Sequence, residues 1–163
     1  MYSSLRKWLQ ISLFNLMLVA FIGVILRYKI AYSLPFIDHK KLLHSHSHFA
    51  FAGWITQALM ALLVAYISEQ TGISYFRKYR WLLMANCVTA YGMLISFPFE
   101  GYGLISILFS TLSIVVSYFF AVIFWRDLNR LQGSFASATD EIRSMPARSI
   151  PRAITWSTPW QRT

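Results

Sequence analysis

The 27-residue stretch Leu42–Ser68, LLHSHSHFAFAGWITQALMALLVAYIS, contains no Asp, Glu, Lys or Arg. A helix needs about 20 apolar residues to cross a bilayer core, so this run is long enough to do so. It opens on three imidazoles, His44, His46 and His48, directly after Lys40 and Lys41. Ionisable groups at the edge of a hydrocarbon core are costly to keep there, and three so close together call for a functional explanation. Imidazole is also the commonest protein ligand for metals, haem iron and copper among them.

Three more uncharged runs lie on either side: Trp8–Leu26, Trp81–Phe99 and Gly101–Trp125. Only 13% of the 163 residues are charged and 56% are hydrophobic, whereas a soluble domain carries about a quarter charged residues. The predicted fold class is therefore all-α: an integral membrane four-helix bundle over residues 1–125. Its helices are expected at about 8–28, 42–67, 81–98 and 102–125, with Pro98 and the glycines at 101 and 103 stopping the third and restarting the fourth. Residues 126–163, rich in Ser, Arg and Pro without an apolar period, read as a polar, largely disordered tail. No room is left for a soluble catalytic domain. Arg6-Lys7 before an apolar run imitates a secretory signal, but Arg27-Tyr28 stands where a small-residue cleavage site would be, so the run reads as a retained first helix. Cys87, the only cysteine, cannot form an intramolecular disulfide.

A net charge of +9 would suit nucleic acid, yet the basic residues sit in the short segments between apolar runs, which excludes that reading. Arg6, Lys7, Arg77, Lys78, Arg80, Arg126, Arg130 and the tail arginines fall on one side of four crossings; Arg27, Lys29, Lys40 and Lys41 fall on the other. The positive-inside rule then predicts a multi-pass protein of the cell inner (plasma) membrane with both termini cytoplasmic and the histidines at the outer face.

On a straight helix His44 and His48 share a face and His46 points nearly opposite, so one helix cannot bring all three to one ion. Gly53 lies two turns below His46 with Ala50 between, which predicts a histidine above a groove of small residues. His48 shares its stripe with Phe51, Ala52 and Ile55. Gly103, Ser106, Ser110, Ser113 and Ser117 form one stripe on the fourth helix, the chemistry of close helix packing in lipid. Asn86, Thr89, Met93 and Ser96 form a weaker one on the third. Asn15 and Gln57 are expected to bond across helices, and Glu100 to be a solvated turn residue.

The run His46-x-His48-x4-Gly53-Trp54 resembles the HxHxxxxGW signature of subunit-I-like proteins of the haem–copper oxidase superfamily. It is also similar to the HxHxxxxG of NnrS-type haem–copper membrane proteins. The resemblance covers the first four helices and implies haem b held through His46 or His48 at the outer end of helix 2, with Gly53 and Trp54 as the rest of the motif. It implies electron transfer or the binding of nitric oxide or oxygen. Oxygen reduction by this chain alone is not implied, because the superfamily's remaining histidines belong to later helices. The tail after Trp125 reads either as the mark of a truncated or frame-shifted product, or as that of a short homologue completed by oligomerising or by a partner membrane subunit. Two other readings stay open. One is an outer-face copper or zinc handling protein using His44, His46 and His48, in which the i, i+4 pair His44 and His48 is completed by Glu100 or a second protomer. The other is a non-catalytic structural subunit that docks through its serine stripe.

Overall fold

The computed structural model describes residues 2–32, 35–36 and 38–144. All regular structure among the described residues is helical. Four helices are long and apolar enough to cross a membrane: α1 (Tyr2–Ala31), α2 (His39–Thr71), α3 (Phe76–Glu100) and α4 (Leu104–Ser144). Phe21 and Val24 on α1, Val88 and Ile95 on α3, and Leu108, Phe119 and Val122 on α4 are all exposed. In water such a surface would be an aggregation hazard; in lipid it is what faces the hydrocarbon, and helices suit it because they satisfy their own backbone. The chain is by its fold a multi-pass helical membrane protein.

The ends of the helices differ from the sequence reading for local reasons. Asp38 starts α2 three residues early: its Oδ1 accepts the amide N–H groups of Lys40 and Lys41 at 2.8 and 3.2 Å, a side-chain N-cap. The other end of α2 stops at Gly72, which takes a left-handed φ of 69°. Pro98 does not stop α3. It lies inside the helix, which runs on to Glu100 and ends at Gly101 with φ 67°. α4 runs beyond 125 as helix through Ser144, where the composition had suggested disorder from 126. Leu, Arg, Gln, Ala and Glu are strong helix formers and need no apolar period to be helical. A second compact unit begins at Asp127, and the tail residues 145–163 lie outside the described residues.

Within the first unit α2 is the central helix, packed against both α1 and α3, while α4 stands further off and reaches the others through Phe109 at the histidine end and Phe120, Ile123 and Phe124 at the other. Two apolar clusters fill the interior. Val19, Phe49, Ala52, Ala90, Met93 and Phe97 pack at the histidine end. Met60, Val64, Phe76, Tyr79, Leu83 and Phe120 pack at the opposite end. Asn15, Gln57 and Asn86 lie fully buried between the two clusters.

Candidate functional site

α2 is not one uniform α-helix. Its α-helical turns over His39–Phe49 give way to a π-helical segment, Ala50–Thr56, before α-helix resumes at Gln57. The wider π turn, often found at functional sites, begins two residues after His48 and contains Gly53 and the half-buried Trp54. It leaves Phe51 and Ala52 on the His48 side, as a 3.6-residue period assigns, and brings Thr56 to that side in place of Ile55.

The three imidazoles meet different neighbours. His44 Nδ1 lies 3.2 Å from the Tyr102 hydroxyl, and its ring meets that of Tyr102 edge-on. His48 stacks on Phe97, with centroids 4.6 Å apart and planes 14° from parallel. Both therefore face the α3–α4 turn. His46 faces α1 instead: a Cβ placed on Gly23 would lie 3.3 Å from His46 Cε1. The Nδ1 of His46 is buried without a hydrogen-bond partner. The groove expected over Gly53 is closed, because the Phe49 ring occupies the space a Cβ would take there, at 2.6 Å.

An open groove lies under His48. It holds about 490 Å³ between α2, α3 and α4, within the range of about 300–1,000 Å³ typical of small-molecule and cofactor sites. His48, Phe51, Ala52 and Thr56 line one wall, and Ser110, Ser113 and Ser117 of the α4 stripe line the other. Ser117 Oγ donates to the Ser113 carbonyl at 3.0 Å, so the stripe is smooth as well as mildly polar.

Proline chemistry fixes the histidine turn. Pro98 has no N–H to give the carbonyl four residues back, that of Leu94. That carbonyl accepts the Ser45 hydroxyl of α2 at 2.8 Å, and Ser45 is fully buried between His44 and His46. One turn earlier, Lys41 Nζ donates to the Phe99 carbonyl at 2.9 Å, a cation on the negative end of α3. Ser45, Phe97 and Tyr102 were not singled out from the sequence, and Lys41 only for its charge. The internal proline was the available signal, since it implies a carbonyl seeking a donor.

Below the groove, neighbouring helices supply donors to the π segment. Asn86 Nδ2 donates to the Ala52 carbonyl and to Gln57 Oε1, both at 2.9 Å. Asn15 Nδ2 donates to the Gly53 carbonyl, and the Tyr91 hydroxyl donates to Asn15 Oδ1 at 2.6 Å. Asn15 and Gln57 thus bond across helices as their isolation suggested. Glu100 Oε2 accepts the Ile105 amide at 3.3 Å and serves the start of α4. Among the described residues no three His, Cys, Asp or Glu side chains gather as a metal-binding group. Compared with known proteins, the chain matches no family model, no curated protein and no solved structure.

Proposed function

We propose that this membrane protein binds haem b in the groove between α2, α3 and α4, with His48 as its axial ligand, for nitric oxide or oxygen binding or for electron transfer. The observation that carries the reading is His48 on the wall of a cofactor-sized groove. The lining fits the group: an imidazole for iron, apolar surface from Phe51, Ala52 and Met93, and small hydroxyl-bearing residues that let a flat ring lie close to α4. Haem there would supply reversible coordination of a diatomic ligand and one-electron exchange.

The chain's own residues set the conditions. Phe97 holds the His48 ring by stacking, and Ser45 locks the turn that carries it onto α3. His46, against α1 and Gly23, is the second candidate: its unpartnered Nδ1 favours a role for this nitrogen, but α1 approaches too closely for a macrocycle to enter between the two helices. The metal-capture reading through His44, His48 and Glu100 has less support, since His44 pairs with Tyr102 and Glu100 with the α4 backbone.

The test is a reduced-minus-oxidised spectrum of the full-length protein, expressed with ample haem and purified in detergent, beside His48→Ala and His46→Ala. We expect Soret and α bands in the parent, at least tenfold weaker in His48→Ala and retained in His46→Ala. Loss in His46→Ala alone would move the ligand to the α1 side, and a colourless parent would end the haem reading.

A further inference from the structure

At the end of the bundle opposite the histidines, α1, the turn before α3 and the start of α3 border an open cavity of about 490 Å³. Lys7 from α1 and Arg77 and Arg80 from α3 line it, together with Trp8, Ser4 and Ser74. No carboxylate is part of its wall. Among the described residues, none of the three cations is held in an ion pair. All three side chains are exposed, and an anion seated among them would meet like charges supplied by two separate helices. The first turn of α3 adds to the positive field: it holds no acidic residue, and its N-cap, Tyr75, makes no side-chain cap bond.

The other lining groups suit a phosphate at a membrane surface. Arg offers forked donors that match phosphate oxygens, Lys a point charge, and Ser4 and Ser74 neutral hydroxyl donors. Trp8, half-buried, is the side chain that settles at headgroup depth. We propose that this cavity is a phosphate-binding site, filled by the phosphodiester of an anionic phospholipid or by free phosphate.

Native mass spectrometry of the full-length protein, offered phosphatidylglycerol or phosphatidylcholine with the same acyl chains, tests the lipid source. Calorimetric titration with inorganic phosphate tests the other. The comparison is between the parent, Lys7→Gln/Arg77→Gln/Arg80→Gln, and a control of equal charge change, Arg6→Gln/Arg126→Gln/Arg130→Gln. We expect the cavity variant to weaken binding of phosphatidylglycerol, of phosphate, or of both by at least about tenfold, and the control to leave it within about twofold. Retention of phosphatidylglycerol alone identifies the headgroup as the occupant; binding of phosphate alone identifies the free anion. Equal binding by the parent and the cavity variant, or equal loss in the control, would overturn the proposal. Should the triple variant fail to fold, the exposed single change Arg77→Gln carries the same test, with a smaller expected loss of about threefold.

Discussion

Gly53 matters for what lies against it. The Phe49 ring fills the space of a missing Cβ at 2.6 Å, so Gly53→Ala forces overpacking beside the π segment. We expect a loss of about 1–3 kcal/mol in a detergent-based unfolding titration, partly recovered when Phe49→Leu is added. A Gly53→Ala protein as stable as the parent would contradict the packing. Asp38 offers a pH-dependent case. The Lys41 amide foremost, helped by that of Lys40, holds its carboxyl below the ordinary carboxylate range against the opposing effect of desolvation. A depressed folded pKa means that the cap contributes fully above the unfolded value of 3.8 and is lost as pH falls through the lower folded value. Amide exchange at Lys40 and Lys41, corrected for intrinsic rates, should therefore show protection constant from pH 7 to 5 and falling below about pH 4, with no such fall in Asp38→Asn. At this scale the spacing of the histidines already separates His46 from His44 and His48, because 100° per residue allows nothing else. What each imidazole touches was not legible, since azimuth on one helix does not name the neighbour.

Among the elements, the pairing of α2 with α3 turns on a helix interior that contains a proline. Ser45 donates to Leu94 because Pro98 cannot. Ser45→Ala should cost about 0.5–1.5 kcal/mol, the range of hydrogen bonds within membranes. In a Pro98→Ala background the residue-98 N–H can bond to Leu94 itself, and the same serine change should cost less than half as much. A double-mutant cycle in one detergent measures the coupling; additive losses would mean that the freed carbonyl is not what Ser45 serves. Pro98 reads as a helix stop in the sequence because an aqueous helix has no ready donor to replace the missing bond. A neighbouring helix in lipid provides one, which is why prolines are tolerated in membrane spans. The π segment escaped for a related reason: its carbonyls at Ala52 and Gly53 accept from Asn86 and Asn15, residues 34 and 38 positions away. A wide turn stabilised from outside leaves no mark on its own periodicity.

For the whole molecule, the decisive signal was the length of four uncharged runs, and that was fully legible because the bilayer imposes length and apolarity without regard to packing. The layering inside was not: two apolar clusters with a buried layer of Asn15, Gln57 and Asn86 between them depend on which faces meet. Orientation rests on charge alone. Lys7, Arg77 and Arg80 gather at the end away from the histidines, and the positive-inside rule expects that end in the cytoplasm. Single cysteines in a Cys87→Ala background test this directly in intact cells with a membrane-impermeant maleimide. Phe36, 95% exposed in the connection between α1 and α2, and Ser74, exposed in the turn between α2 and α3, are the two sites. Phe36→Cys should label in intact cells and Ser74→Cys only after permeabilisation. The reverse pattern would put the histidines on the cytoplasmic side, and the groove under His48 would then open toward cytoplasmic rather than outer-face ligands.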